Sequence, residues 1–488
     1  MSILTSDKIT ITWHKRLYHI EFKTQPIMTF QSIHPYDQIV IAEYPIMDGK
    51  ALEHRLESAS TAFQVWKQTS FQQRSDLLKR VSVLLRSNID KYARLITMEM
   101  GKILAESRAE VEKCAMTCDF YAEHGEEYIR DEVLESRFKP ADMRLGKVTY
   151  EPLGVIFAIM PWNFPFWQVF RFAAPSLMAG NVALLKHAPN VVGCALAIEK
   201  IFQEAALELA LPPATFQTLI VDVDVVESII AHDAVQGVTL TGSEYAGSSV
   251  AALAGKHIKR SVLELGGSDP LIVLADADVE RAAAVAVQSR MQNAGQSCIA
   301  SKRFLVESAV FDDFVRHCEV KISALKQGNP LESSTTTAPM ARVDLAEKLH
   351  GQLITTAKQG GKLLTGGSVE GANFQPALLV DVPENSPAFN EETFGPMAAV
   401  VRVRDAEDAI ELANKTRYGL GASVWTRDTE MAERIAWRIN AGAVFVNGLV
   451  KSTPQLPFGG IKKSGYGREL SYFGMKEFMN AKTVYIYD

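Results

Sequence analysis

Between residues 155 and 265 short apolar runs alternate with helix-like stretches, and this rhythm constrains the fold more than any other feature of the chain. The runs cover 155–160, 182–185, 215–219, 237–241 and 262–265. Strands joined through helices pair in parallel, so the pattern predicts a doubly wound α/β sheet with a ligand at the strand ends. Residues 268–442 keep the same rhythm and predict a second α/β domain. A chain of 488 residues also exceeds what one core fills. Ahead of both, residues 49–127 read as helical over 50–67, 72–98 and 103–127. In the second of these Leu77, Leu78, Val81, Leu84 and Leu85 recur at three- and four-residue spacing, the mark of one buried face. All three helices read as scaffold.

The chemistry centres on Asn293-Ala-Gly-Gln-Ser-Cys298, a glycine-containing loop between the helical run 279–292 and the strand-like 303–306. A free cysteine is by default a small buried hydrophobe. Two other stretches argue otherwise. Ser261-Val-Leu-Glu264-Leu-Gly-Gly267 ends an apolar strand on a carboxylate, and Met160-Pro-Trp-Asn163-Phe-Pro165 sets an amide in a rigid aromatic turn. Taken singly, Glu264 is a strand-end charge and Asn163 a turn asparagine. Together the three fit one chemistry, in which a thiolate attacks a carbonyl, donors hold the oxyanion and a carboxylate acts as base.

Four motifs, PWNFP at 161–165, ELGG at 264–267, GQSC at 295–298 and EETFGP at 391–396, resemble the NAD(P)-dependent aldehyde dehydrogenase superfamily. The match runs in family order from about residue 30 to the C-terminus. It implies a Rossmann-type cofactor domain (28–133 and 153–264), an α/β catalytic domain (265–468) and a β-strand oligomerisation arm (134–152 and 469–488). The arm, with a short exposed hairpin over 140–151 and an alternating strand over 482–487, implies a homodimer or homotetramer. By the same resemblance Cys298 is the nucleophile, Asn163 and the Cys298 N–H hold the oxyanion, and Glu264 activates the thiol or the water that hydrolyses the thioester. A carboxylic acid product follows.

The resemblance also implies the cofactor contacts Trp162, Lys186, Gly242, Ser243, Gly266, Glu392 and Phe394. The dinucleotide glycine signature GxGxxG is absent, and Thr241-Gly-Ser-Glu-Tyr-Ala-Gly247 takes its place, a turn opening a helix whose N–H groups can meet a pyrophosphate. Glu244 puts a negative charge near that phosphate. Lys186 matches the lysine that holds the adenosine ribose; three positions on, Pro189 offers no donor to a 2′-phosphate, which leans the reading to NAD over NADP. Within the superfamily LLKHAPN, ELGGSDP and KKSGYGREL are similar to succinate semialdehyde dehydrogenases. Those enzymes place an arginine at Arg171 and a carboxylate-binding serine at Ser452. Their second arginine is Gln292 here, which donates but brings no charge. Oxidation of glutarate semialdehyde or an aliphatic aldehyde stands as an alternative, as does a non-catalytic binding protein of the same fold.

Composition narrows the partners. A net charge of −6 gives no footprint for nucleic acid, no basic amphipathic helix stands out for a membrane surface, and no run of eighteen apolar residues occurs. The expected partner is a small aldehyde. Five scattered cysteines (114, 118, 194, 298 and 318) argue against a disulfide framework and for a reducing compartment, the cytoplasm. Cys114 and Cys118 read as packing, since no set at zinc spacing accompanies them. Residues 1–27 lack the apolar core of a signal peptide, and either form an extension or precede a true start at Met28.

Overall fold

The computed structural model describes residues 28–488 and, upstream, two strands, Thr10–Trp13 and Arg16–His19, paired antiparallel; the remainder of the 1–27 extension lies outside the described residues. Helices Gly49–Trp66, Phe71–Ser87, Ile89–Met100 and Leu104–Tyr128 form the first layer. Ser70 opens the second with a reciprocal cap to Gln73. The single helix expected over 72–98 is broken at Asn88, where φ is −121° and ψ 22° and the side-chain amide donates to the Leu84 carbonyl at 3.1 Å. An asparagine that bonds the backbone locally competes with helix continuation.

The expected doubly wound sheet is present. Its strands lie in the order Arg260–Glu264, Val235–Thr241, Val155–Met160, Val182–His187, Phe216–Thr218, all parallel, with the short Gly465–Tyr466 added antiparallel at one edge. The chain runs outward from the central Val155–Met160, then crosses back to its other side. The strand order therefore reverses between Val155–Met160 and Val235–Thr241, and a crevice opens at their carboxyl ends.

The second sheet has seven strands: Lys362–Thr365, Ala377–Val380, Met397–Val403, Ser301–Glu307, Asp269–Val273, Gly421–Trp425 and Ala443–Val446, parallel except for the first. Its alternation is clean: Leu271, Val273, Phe304 and Val306 enter one core, Ile272, Leu305, Ala399 and Val401 the other. Both faces are covered, as a parallel sheet requires.

A third, antiparallel sheet joins Glu132–Val133, Met143–Pro152 and Met479–Tyr487. The 140–151 stretch is therefore not a hairpin in its own right. Its main partner is the C-terminal strand, with Ala481 opposite Tyr150 and Thr483 opposite Val148. Among the described residues no helix is long and apolar enough to cross a membrane.

Candidate active site

Cys298 stands at the amino end of Ser301–Glu307, on a loop built from left-handed backbone: φ is 53° at Asn293, 49° at Ala294 and 69° at Gly295. Three such residues in a row, two of them not glycine, persist only where surroundings hold them. The surroundings here are specific. The Glu106 carboxylate accepts the Asn293 N–H at 3.0 Å, and Arg290, fully buried, donates to the carbonyls of Gly295 (3.2 Å), Thr393 (2.7 Å) and Met397 (2.7 Å). Arg290 thus ties the cysteine loop to the 391–396 loop. A Cβ on Gly295 would stand 2.3 Å from the Gly395 carbonyl oxygen. Below Cys298 the Lys302 ammonium donates to the carbonyls of Ser297 (2.9 Å) and Cys298 (2.6 Å).

Asn163 lies just past the carboxyl end of Val155–Met160. Its amide donates to the Gln296 carbonyl at 2.9 Å and accepts from Gln168 at 2.9 Å, while Asn293 donates to the Asn163 carbonyl at 2.7 Å. The aromatic turn and the cysteine loop are therefore stitched directly together. His187 anchors the turn from behind, its Nε2 at 2.9 Å from the Pro165 carbonyl, and the Phe166 and Trp167 N–H groups cap onto Glu110, which pairs with Lys102.

A cavity of about 260 Å³ opens on Cys298. Of the sequence-derived substrate residues Arg171, Gln292 and Ser452 all line it. They do so unequally. The Arg171 guanidinium is buried against the Glu469 carboxylate, donates to Thr241 Oγ1 at 3.2 Å and stacks 4.6 Å over the Phe458 ring. Its charge is already answered. Gln292 is exposed at the rim.

The helices read as scaffold contribute more than packing. Leu104–Tyr128 turns Glu106, Ala109, Glu110 and Lys113 toward the cavity, a three- and four-residue spacing that marks one face. Lys113 donates to Ser452 Oγ at 3.0 Å and lies 3.9 Å over the Trp167 ring; Trp167 Nε1 donates to the same oxygen at 3.1 Å. Glu106, Glu110 and Lys113, three and four residues apart on a helix rich in charge, gave no signal that set them apart from a solvated face. Glu469, in the C-terminal glycine-dense segment, carried none.

Glu264 ends its strand 2% exposed, and neither of its side-chain oxygens has a hydrogen-bond partner among the described residues. Burial pushes its carboxyl well above the usual range, opposed chiefly by the Arg171 charge. Burial likewise pushes the Cys298 thiol up to about 11, against the charges of Arg171 and Lys302. Glu264 does not line the cavity, but its charge reaches the thiol.

Of the residues expected at the cofactor, Trp162, Lys186, Gly242 and Ser243 lie at or just beyond the carboxyl ends of the first sheet's strands, with Glu392 and Phe394 packed beside them. Glu392 accepts from the Gly267 N–H at 3.1 Å and lies 3.6 Å from Lys302; a Cβ on Gly266 would stand 2.4 Å from its carboxylate. Phe394 meets Trp162 edge to face at 5.8 Å. Ser243 caps the helix Glu244–Lys256 by accepting the Ala246 N–H at 3.2 Å, and Gly242 donates to the Glu264 carbonyl at 2.9 Å. The Glu244 carboxylate is turned onto Arg417 and Lys463, which removes the conflict with a phosphate. Lys186 is 7% exposed and makes no ion pair or side-chain hydrogen bond among the described residues; burial lowers its proton affinity, opposed by the Asp222 charge. A buried unpaired ammonium, a helix N-terminus and an aromatic pair along one crevice fit a dinucleotide.

Two largely parallel sheets, a loop cysteine opening on a small cavity, and a strand-end crevice whose residues fit a dinucleotide are the features of an oxidoreductase of the aldehyde-oxidising type. The chain belongs to the aldehyde dehydrogenase family, whose model matches residues 22–484. It is 46% identical, over 94% of its length and all of the relative's, to a Synechocystis protein named as a probable succinate-semialdehyde dehydrogenase of NADP(+) type. An Escherichia coli succinate semialdehyde dehydrogenase of NAD(P)+ type is 43% identical over 93% of this chain and 97% of its own. Among solved structures, succinic semialdehyde dehydrogenase from Streptococcus pyogenes in complex with NADP+ superposes with a TM-score of 0.90 at 35% identity, covering 94% of this chain and all of that one.

Proposed function

We propose that the protein oxidises succinate semialdehyde to succinate with NAD(P)+. The observation that carries this reading is the cavity itself, whose lining holds both Cys298 and a pair of donors, the Ser452 hydroxyl and the Lys113 ammonium, suited to a second carboxylate. The names of relatives at 43–46% identity support the same substrate.

Cys298, its thiol proton passed to water, attacks the aldehyde carbon as the thiolate, forming a C–S bond as the carbonyl π bond opens to a tetrahedral hemithioacetal. Its oxyanion meets the Asn163 amide and the Cys298 N–H, once the Asn163 amide leaves the Gln296 carbonyl it bonds at rest. When bound, the dinucleotide accepts the hydride and supplies the oxidising power of the reaction. Trp162 and Phe394 would flank its nicotinamide and Glu392 its ribose, with Lys186, Gly242 and Ser243 toward the adenosine and phosphates. The chain is then acylated at Cys298 as a thioester. Glu264, held in a dry pocket that raises its proton affinity, takes a proton from water, and hydrolysis releases the acid and restores the thiol.

Pro189 argues for NAD, whereas the relatives' names carry NADP(+) or NAD(P)+, so both dinucleotides are proposed as acceptors. The sheet Met143–Pro152 with Met479–Tyr487 supports assembly of copies through its strand edges, as a homodimer or homotetramer, and the unpaired cysteines support a cytoplasmic setting. The test is the rate of reduced-cofactor formation with succinate semialdehyde, glutarate semialdehyde and propanal, each with NAD+ and with NADP+. A clear preference for succinate semialdehyde upholds the reading; equal rates with propanal reduce it to a general aldehyde dehydrogenase.

A further inference from the structure

Two cations, Arg171 and Lys113, line the cavity below its rim, and the ammonium groups of Lys102 and Lys302 stand close behind. Arg171 is paired with Glu469, Lys102 with Glu110, and Lys302 lies 3.6 Å from Glu392 while donating to two backbone carbonyls. Lys113 alone of these has no carboxylate partner among the described residues. Lys451, at the exposed rim, is solvated.

The setting of Lys113 is that of a recognition group. Its contact with the Trp167 ring fixes the ammonium, and among the described residues only one of its three N–H donors is used, by Ser452. Ser452 Oγ in turn accepts from both Lys113 and Trp167 Nε1. A hydroxyl that accepts twice has its own O–H left to donate, and among the described residues no acceptor takes it. Two donors, one charged and one neutral, thus converge on the cavity side by side. Burial of Lys113 lowers its affinity for a proton, to about 8, which an incoming carboxylate would reverse.

We propose that Lys113 supplies the positive charge that reads the distal carboxylate of the semialdehyde, jointly with the Ser452 hydroxyl, in place of the charge that Gln292 does not bring. This rests on the substrate reading above. Arg171 shapes the wall and holds Glu469; Lys113 discriminates acid from neutral aldehyde.

The experiment compares steady-state oxidation of succinate semialdehyde and propanal by the full chain and by Lys113→Met, Lys113→Gln and Lys113→Arg. The ratio of kcat/KM for the acid over propanal falls tenfold or more in the Met and Gln variants, through KM for the acid, and Lys113→Arg restores most of it. Lys113→Gln keeps a donor for Ser452 without the charge, so a loss in that variant assigns the effect to charge. Succinate, as an inhibitor of propanal oxidation, weakens in parallel. A wild type that prefers the acid together with variants that keep the ratio overturns this inference alone, as does an equal loss on both aldehydes. A wild type without the preference overturns the substrate reading and this inference with it.

Discussion

The Arg171 guanidinium and the Glu469 carboxylate form an ion pair inside the protein, both side chains no more than 5% exposed, between the cavity wall and the Glu264 pocket. Two buried ions gain little over apolar replacements, but removing one strands the other. Arg171→Met therefore costs about 3–5 kcal/mol of stability. The added change Glu469→Gln recovers part of it, read as the urea midpoint of single and double variants. A midpoint for the double variant no higher than that for Arg171→Met would show that the two are not coupled.

A thiol raised to about 11 by burial is almost wholly protonated at pH 7 in the protein without cofactor. The thiolate reacts and the thiol does not, so alkylation of Cys298 by iodoacetamide should accelerate about tenfold per pH unit from 7 to 10. Peptide mapping separates it from Cys114, Cys118, Cys194 and Cys318, all buried. A plateau setting in near pH 9.5, about one unit above the ordinary value of about 8.5, would show an unshifted thiol.

His187 is held neutral: its Nδ1 accepts from the Ala188 N–H at 2.9 Å, its Nε2 faces the Pro165 carbonyl, and burial lowers its proton affinity to about 4 from 6.5. Between those values the unfolded chain binds the extra proton and the folded one does not. Its contribution is thus whole above pH 6.5 and is lost as pH falls toward 4, on the order of 3 kcal/mol in total. His187→Gln should flatten the pH dependence of thermal unfolding in that window. An unchanged slope would place the acid sensitivity elsewhere.

Gly266→Ala sets a methyl against the Glu392 carboxylate, where the ideal Cβ would lie 2.4 Å from an oxygen. The carboxylate is the end of a flexible side chain, so it swings away and the fold survives. KM for the dinucleotide should rise about tenfold, the worth of one charged hydrogen bond. Equilibrium binding of the reduced cofactor, followed by its fluorescence, checks this separately from turnover.

Glu264→Gln removes the base for hydrolysis but keeps the shape of the pocket. A burst of reduced cofactor near one equivalent per site, followed by turnover at least about 10²-fold slower, is expected, since a general base contributes on that scale. Mass spectrometry of the quenched protein should find the acyl group on Cys298. Turnover slowed without a burst would put Glu264 before hydride transfer instead.

Much of the architecture was legible in local pattern. The five apolar runs of the first sheet and the helix ahead of Cys298 fall within a few residues of the observed elements, because period and turn chemistry are local properties. The motifs around Asn163, Glu264, Cys298 and Glu392 were legible as residue types suited to one reaction. What only the tertiary structure decided is who meets whom. The C-terminal strand finds its partner in Met143–Pro152, Glu106 reaches across to the Asn293 N–H, and Lys113 rather than Gln292 stands beside Ser452, with no counter-ion among the described residues. Arg171 is spent on Glu469, a carboxylate that no spacing linked to it. The physical reason is that a charge is defined by what surrounds it. Sequence names the ion, but its desolvation and its partners come from segments hundreds of residues apart, brought together only when the sheets close.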